Sequence, residues 1–263
     1  MTADISQTES PRGVCVVTAG GQAPAIIINA LGAAFGPIDV VMERPETMWH
    51  FLKRRAGKVG WMNLAGQFLT IKLIVQMKRL SRRSVRRIIR EENLQIEIGA
   101  QHRIHNIESV NSPDFIEKID AFRPEAVFLC GCRIVKPDIL ARVLVPMLNY
   151  HAGITPQYRG MNGGYWALAN GDDANFGATV HYVDAGVDTG AVIAQVRGSP
   201  GKGDMIWTYP LRQAAMSRAM CVVSIQAVLE GGAEPIETIG PSVQHYHPEI
   251  WRYLWVGITK GVW

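Results

Sequence analysis

Short apolar runs alternate with helix-like patterns along most of this chain, and few folds satisfy that alternation. Val14–Thr18 is a nearly continuous apolar run, typical of a buried strand. A glycine-rich turn follows, and then an apolar stretch at 25–31 in which Pro24 suits a first helical turn. Further strands are expected at 38–42, 125–130, 146–151, 178–183 and 191–196, and further helices at 113–122, 137–143 and 206–229. The alternation predicts an α/β fold with a mostly parallel twisted sheet flanked by helices.

The composition favours a soluble globular enzyme. The 263 residues suffice for one large domain, and 48% hydrophobic with 19% charged residues argues against disorder. The four cysteines lack the spacing of a zinc or redox pair, so we expect reduced thiols in a cytoplasmic protein. Residues 1–12 are polar, contain no apolar segment of a signal peptide, and are expected to form a flexible N-terminus.

Three residues supply the groups needed for acyl transfer to an amine: Asn149, His151 and Asp188. An amide can donate to a developing oxyanion, an imidazole can transfer a proton, and a carboxylate can orient and stabilise that imidazole. Asn149 and His151 are two residues apart in the predicted strand at 146–151, so they lie on one face of it. Asp188 follows in a loop between two predicted strands. We predict that these three residues are catalytic.

Several segments around these residues follow one another in a recognisable order. They are LCGCRIV at 129–135, LNYH at 148–151, TPQYRG at 155–160, WALANGD at 166–172, GATVHYV at 177–183 and VDTG at 187–190. This order resembles that of folate-dependent formyltransferases, a family that includes glycinamide ribonucleotide, methionyl-tRNA and nucleotide-sugar formyltransferases. The resemblance is strong over about residues 124–197 and weak over 14–42.

The resemblance implies a Rossmann-like formyltransferase domain, expected at 13–232, and 10-formyltetrahydrofolate as the formyl donor. It implies no metal. The pterin ring of the donor is expected to contact two segments of the chain. Their cofactor-binding residues are Cys132, Arg133, Ile134 and Val135 in the first and Asp184 and Gly186 in the second.

The acceptor is less narrowly defined. Residues 158–164 are nearer to the arginine-containing form of sugar and tRNA formyltransferases, which makes Arg159 a substrate-binding candidate. The tail is too short for the barrel domain of methionyl-tRNA formyltransferases, which disfavours tRNA. We expect the primary amine of a small, phosphorylated or nucleotide-linked amino sugar, with glycinamide ribonucleotide of purine biosynthesis as the alternative. A methionyl-tRNA formyltransferase, a formyltetrahydrofolate hydrolase and an inactive binding homologue are less favoured.

The turn Gly20-Gly21-Gln22 has two interpretations. Such a strand-to-helix turn presents backbone N–H groups and a helix dipole to an anion, and the resemblance implies a substrate phosphate there. The turn lacks the G-x-G-x-x-G spacing of a dinucleotide site and the Asn-Gly-Ser-Asn-like turn of glycinamide ribonucleotide formyltransferases. The other interpretation is a tight turn without a ligand. We predict substrate contact by all three residues.

A basic segment at 53–90 departs most from the family and is expected to be part of a helical insertion at about 45–95. It contains no Asp or Glu and twelve cations: Lys53, Arg54, Arg55, Lys58, Lys72, Lys78, Arg79, Arg82, Arg83, Arg86, Arg87 and Arg90. The last five arginines recur at i, i+4 spacing and so line one helix face. The face is either solvated, in contact with a polyanion, or attached to a membrane surface.

The C-terminal segment 233–263 contains many aromatic residues. Their exposure to water would be unfavourable unless another surface covered them. We expect this tail to pack on the core or on a partner subunit, as in a homodimer. Five other histidines are expected to be structural or to lie at the surface, and no metal site is expected among them. They are His102, His105, His181, His245 and His247.

Overall fold

A seven-stranded sheet forms the centre of the molecule. The structure is a computed structural model and describes residues 13–47, 57, 60–78 and 82–263. The strands are β1 Val14–Thr18, β2 Asp39–Glu43, β3 Arg103–Ile107, β4 Ala126–Cys130, β5 Met147–His151, β6 Arg159–Gly160, β7 Gly177–Tyr182, β8 Val192–Arg197 and β9 Gln244–His245. The helices are α1 Gln22–Phe35, α2 Trp61–Lys78, α3 Arg82–Glu91, α4 Pro113–Phe122, α5 Pro137–Leu140, α6 Gly163–Ala169, α7 Tyr209–Leu229 and α8 Ile250–Lys260.

The sheet has the order β3-β2-β1-β4-β5-β7-β8. The strands β3, β2, β1, β4 and β5 run parallel, whereas β7 and β8 are antiparallel to their neighbours. Every residue of β1 and β4 is buried, as expected for strands covered on both faces. The predicted α/β fold, with a mostly parallel sheet flanked by helices, is confirmed.

The strand order changes direction at β1. The chain passes from β1 to β2 on one side, and after β3 it returns to pair β4 with the other side of β1. The loops that follow β1 and β4 therefore separate, and open α/β sheets bind ligands in the crevice that results. At this point the Ala19 N–H donates to the Gly131 carbonyl at 3.0 Å, which fixes the two loops against each other.

Two apolar layers cover the sheet. On one face, α1 and α7 pack on the strands through residues such as Ile27, Leu31 and Leu211. On the other face, α4 and α5 contribute Phe115 and Ile139. The sheet is thereby held from both sides, and the ends of its strands give a rigid support for polar side chains.

Most predicted elements agree with the structure within a few residues, and α4 occupies the predicted span. Two expectations differ. The helix expected at 137–143 ends at Leu140, and the edge strand β3 was missed. Four residues of β3 are exposed or half-buried, because an edge strand lacks the continuous apolar run of a central one. The N-terminus expected at 1–12 lies outside the described residues.

The basic segment forms the helices α2 and α3 in its described part. Lys53, Arg54, Arg55, Lys58 and Arg79 lie outside the described residues. Five residues of α3 are arginines, but they do not share one environment. Arg87 pairs with the buried Asp204 at 3.2 Å, whereas Arg82, Arg83, Arg86 and Arg90 are exposed. In the part of the chain that the structure describes, no helix is long and apolar enough to cross a membrane.

The tail reaches the domain at two places. Its strand β9 pairs with β6, and its helix α8 packs on α2, where the Trp251 ring lies against Gly66. Tyr253 of α8 is fully buried in a third apolar cluster together with Tyr165 and Phe176. The tail is therefore in contact with both the basic segment and the region around β6.

Candidate active site

The three predicted catalytic side chains meet at one end of the sheet. Asn149 and His151 lie on one face of β5, and Asp188 approaches them from the loop between β7 and β8. The Asn149 Nδ2 donates to Asp188 Oδ1 at 3.2 Å, and the His151 Nδ1 lies 3.5 Å from Asp188 Oδ2. One carboxylate therefore contacts both the amide and the imidazole.

His181 joins this cluster, which corrects the expectation that it is only a structural or surface residue. Its Nε2 lies 3.1 Å from the Asn149 Nδ2 and 3.5 Å from Asp188 Oδ1. The antiparallel pairing of β5 with β7 places Asn149 directly opposite His181. The position of His181 in the strand before the Asp188 loop was visible in the sequence. Only the pairing register of β5 and β7 shows that it faces Asn149.

The backbone of β6 completes the surroundings of Asp188. The Gly160 N–H donates to Asp188 Oδ2 at 2.8 Å, and the Arg159 side chain donates to the Val187 carbonyl at 2.7 Å. Asp188 itself has a left-handed backbone, with φ 51°. That conformation is uncommon outside glycine but easier for aspartate than for branched residues. The loop and β6 are thus held together at the carboxylate.

The hydrogen bonds of His151 define where its protons lie. Its Nε2 is 2.7 Å from the Tyr158 carbonyl, which can only accept, so the Nε2 carries a proton. The Nδ1 then faces the Asp188 carboxylate, and only a proton on the Nδ1 makes that contact attractive. The arrangement therefore places the His151 ring between two accepting groups, the Tyr158 carbonyl and the Asp188 carboxylate.

Asp188 remains ionised in this environment. Burial alone would raise the pKa of its carboxyl group. The neighbouring His151, the His181 imidazole and the Gly160 N–H outweigh burial, and together they hold the pKa of Asp188 well below its usual range. A carboxylate of this kind holds a neighbouring positive charge well and accepts a proton poorly.

The tail segment holds β6 in place. The Arg159 N–H donates to the Val243 carbonyl at 3.1 Å, and the Met161 N–H donates to the His245 carbonyl at 3.0 Å. The His245 ring stacks between Tyr158 and Trp166, with centroid distances of 5.4 and 5.1 Å. Burial lowers the pKa of His245, which favours the neutral ring in this stack. The tail therefore supports the strand whose backbone contacts Asp188.

A cavity of about 240 Å³ opens beside the cluster at the carboxyl ends of β1, β4 and β5. Its wall includes His151, Gly160 and Asn162, and on the opposite side Pro24 and Gly131. Asn149 and Asp188 do not line it. The predicted residues Gly20, Gly21 and Gln22 lie immediately before Ala23 and Pro24 of the wall, and both glycines have positive φ. The cavity thus lies at the crevice that the strand order predicts.

The expected cofactor-binding residues lie in the loop after β4. Arg133 is occupied, because its guanidinium contacts the buried Glu43 at 3.1 Å and the Arg44 carbonyl at 2.7 Å. Cys132 is partly buried, Val135 is buried and Ile134 is half exposed. The backbone N–H groups of Ile134 and Val135 donate to no acceptor within the described ranges. Two unused donors are therefore available on this loop.

The second expected cofactor segment is a compact loop. The Asp184 carboxylate accepts from the Gly186 N–H at 3.0 Å and from the Thr189 hydroxyl at 2.7 Å. A side chain at Gly186 would collide with Thr189, so the loop needs glycine there. Asp184 therefore shapes the loop that presents Asp188. Among the described residues, no group of three histidine, cysteine or acidic side chains is arranged to hold a metal ion.

Residues 74–199 match the family model described as formyl transferase. The matched span contains the whole cluster of Asn149, His151, His181 and Asp188. Over this span, which is slightly less than half of the chain, the protein is similar to formyl transferases. The match begins inside α2, so it overlaps the second half of the segment that was expected to be an insertion.

Curated relatives match part of the chain. A methionyl-tRNA formyltransferase of Chlorobium chlorochromatii is 33% identical over 92 residues, which are 35% of this chain and 29% of the relative. The chain spans less than half the length of the curated relatives that it matches first.

Two solved structures illustrate the shared fold. A sugar N-formyltransferase from Shewanella has a TM-score of 0.56 at 14% identity, covering 90% of this chain and 77% of that one. Glycinamide ribonucleotide transformylase 1 from Symbiobacterium toebii has a TM-score of 0.56 at 20% identity, covering 86% and 94%. At these identities the similarity establishes the fold, and it does not separate the two acceptors.

Proposed function

We propose that this chain is an N-formyltransferase that moves a formyl group from 10-formyltetrahydrofolate to the primary amine of a small, phosphorylated or nucleotide-linked substrate, with an amino sugar favoured. The observation that carries the proposal is the buried Asp188 carboxylate, which contacts an amide and an imidazole at once. Those three groups serve a reaction in which the amine nitrogen bonds to the formyl carbon and the formyl oxygen gains negative charge. The bond from the formyl carbon to N10 then breaks, and N10 leaves as tetrahydrofolate with the proton that the amine loses.

Asn149 and His151 act on that negative charge. In the structure both N–H groups of the Asn149 amide are used, one by Asp188 and one by His181. A formyl oxygen that enters the site competes with His181 for one of them. A protonated His151 would add a positive potential beside the oxygen. Asp188 stabilises that charge. Because the pKa of Asp188 is lowered, its carboxylate positions His151 and does not accept the proton of the amine.

The donor fits the loops beside this cluster. When bound, 10-formyltetrahydrofolate supplies the formyl group, so the reaction needs no oxidant or metal. A pterin ring carries hydrogen-bond donors and acceptors along one edge. The unused N–H groups of Ile134 and Val135 can bind acceptors of that edge, and the rigid loop from Asp184 to Asp188 closes the opposite side. Cys132 and Arg133 contribute through their backbone, since the Arg133 side chain is held by Glu43.

Arg159 supports an anionic acceptor. Its Nε is buried and has no hydrogen-bond partner among the described residues, although another nitrogen of the same guanidinium binds Val187. An unpaired buried donor is costly, and a phosphate or carboxylate would satisfy it. The turn at Gly20, Gly21 and Gln22 directly precedes Ala23 and Pro24 of the cavity wall, and a turn of this kind at a helix start can bind a phosphate. Glycinamide ribonucleotide is the second candidate, because it also joins an amine to a phosphate.

A turnover screen tests the proposal. The protein is mixed with 10-formyltetrahydrofolate and a panel of nucleotide-linked amino sugars and glycinamide ribonucleotide, and tetrahydrofolate release is followed. We expect release that depends on the amine and disappears in Asn149→Ala. The matched control Asn106→Ala, at an exposed position of β3, keeps full activity. Release of formate without any amine would identify a hydrolase, and donor binding without turnover would identify an inactive homologue.

A further inference from the structure

The C-terminal helix α8 is apolar on both of its sides. Its inner side places Tyr253 and Val256 in the core. Its outer side carries four exposed apolar residues at i, i+3, i+4 and i+7 spacing, which form one stripe. They are Trp251 (49% exposed), Leu254 (40%), Trp255 (58%) and Ile258 (77%). Only one of the two apolar faces of α8 is covered, and an exposed apolar stripe of this size indicates an interaction surface.

The stripe continues onto α2. The Trp251 ring lies against Gly66, where any side chain would collide with it. Met62 and Leu69 are one helical turn on either side of Gly66, and both are exposed. Two helices that pack against each other therefore present one apolar surface. We define this surface by six residues: Met62, Leu69, Trp251, Leu254, Trp255 and Ile258.

Most of the charge around this surface is positive, although Glu249 lies beside Gly66 and accepts from Gln67 at 3.5 Å. Residues 53–90 and 250–263 contain no Asp or Glu. On α3, Arg82, Arg83 and Arg86 are exposed and form no ion pair within the described part of the chain. The loop at 202–206 brings α3 near the end of α8, because Arg87 binds Asp204 and the Ile206 N–H donates to the Trp263 carbonyl. The end of the segment that carries the apolar stripe is therefore connected to α3 through this loop.

We propose that the apolar surface of α2 and α8 docks on an anionic lipid bilayer. Trp251 and Trp255 would lie at the level of the headgroups, where tryptophan side chains are favoured. Arg82, Arg83 and Arg86 would face the negative headgroups, and the protein would remain peripheral. This assignment does not depend on the identity of the formyl acceptor.

Charge favours a bilayer over a second copy of this chain. A twofold interface joins the same surface of both copies, so it would bring two sets of exposed arginines towards each other. A dissolved polyanion would pair with the arginines but would leave Leu254 and Ile258 in water. A bilayer with anionic headgroups matches the apolar and the cationic groups together.

Vesicle co-sedimentation tests this proposal. Vesicles of phosphatidylcholine mixed with phosphatidylserine are compared with vesicles of phosphatidylcholine alone, at low and high salt. We expect binding to the anionic vesicles that weakens with salt. Arg82→Gln with Arg83→Gln weakens partitioning roughly 30-fold, since each cation near the surface contributes about fivefold. Trp255→Ser with Ile258→Ser weakens it by more than about tenfold at either salt concentration.

Matched controls separate docking from general effects. Leu144→Ser removes a 93% exposed apolar side chain elsewhere, and Arg123→Gln with Arg142→Gln removes two exposed cations elsewhere. Both controls should bind as the unchanged protein does. Absence of binding to anionic vesicles, or equal losses in the controls, would overturn the proposal. So would a dimer in light scattering that Trp255→Ser with Ile258→Ser dissociates, because the surface would then belong to a second copy.

Discussion

Asp188 and Asp204 both carry carboxylates that are largely removed from water, with 13% and 0% of the side chain exposed, and the groups around them are of opposite kinds. Asp188 is surrounded by two imidazoles, an amide and the Gly160 N–H. Asp204 has a fully buried side chain bound by Arg87 at 3.2 Å, by Arg212 at 2.8 Å and by the Gly201 N–H at 2.7 Å. Guanidinium groups keep their protons, whereas an imidazole can gain or lose one.

The contrast separates a chemical site from a joint between elements. Arg212 also pairs with Glu91 and Glu92, so the Asp204 cluster connects α3 to the start of α7 with permanent charges. Around Asp188, by contrast, the partners can exchange a proton or a hydrogen bond while the carboxylate stays ionised. A carboxylate surrounded by fixed cations stabilises the fold, and one surrounded by exchangeable groups can also serve a reaction.

The largest effect is expected at the exchangeable groups themselves. His151→Ala should lower kcat about 10²–10⁴-fold and Asn149→Ala about 10²–10³-fold, because each removes a group that acts on the developing charge. Steady-state kinetics with an accepted amine measures this, and circular dichroism checks the fold. A variant that keeps its kcat would remove that residue from the proposed machinery.

Asp188→Asn should lower kcat about 10²-fold or more while changing the dissociation constant of the folate donor only slightly. The amide keeps the shape of the side chain but cannot stabilise a charged imidazole. The matched control is Asp39→Asn, since Asp39 also contacts a histidine, His105, but at the start of β2. A large loss of donor affinity at unchanged kcat would instead make Asp188 a donor-positioning residue.

Asp204→Asn should act on stability rather than on chemistry. Removal of the carboxylate leaves Arg212 and Arg87 without their buried partner, which typically costs about 3–5 kcal/mol. Urea unfolding measures the free energy of unfolding, with Asp120→Asn on the exposed side of α4 as the control. Measured below its melting temperature, the variant should retain kcat. A folded variant with a lowered kcat would show that Asp204 also affects the reaction, which would contradict the distinction between the two carboxylates.

The pH dependence of stability should carry the signature of Asp188. Because its pKa is lowered in the folded protein, its contribution is present above the unfolded value of about 3.9 and is lost as pH falls through the folded value. Below about pH 4 the difference in free energy of unfolding between the unchanged protein and Asp188→Asn should shrink by up to about 1.4 kcal/mol per pH unit. A difference that stayed constant below about pH 4 would contradict this.

The smallest effect compares two arginines of one helix. Arg87→Gln loses its contact with Asp204, but the half-exposed guanidinium is screened by water, so we expect a loss of about 1 kcal/mol. Arg83→Gln, one helical turn earlier and exposed, should change the free energy of unfolding by less than about 0.5 kcal/mol. Thermal unfolding of both variants measures this. Equal effects would show that Arg87 is not part of the joint.

What depends on neighbours in the chain could be predicted from the sequence. The apolar runs of β1 and β4 predicted buried strands, because a strand covered on both faces needs apolar residues at every position. The alternation of side chains along β5 predicted that Asn149 and His151 share a face. The left-handed Asp188 lies in a loop whose shape depends on Asp184 and Gly186, which are close in sequence.

What depends on distant segments required the tertiary structure. Nothing near His181 indicates that it faces Asn149, because the antiparallel register of β5 and β7 decides that pairing. Glu91 lies one turn after Arg87, but the buried partner of Arg87, Asp204, is 117 residues away and could not be predicted from the local sequence. Local patterns determine which elements form and which side each residue faces. The partner of a polar side chain is set by how those elements pack, and packing joins residues that the sequence keeps apart.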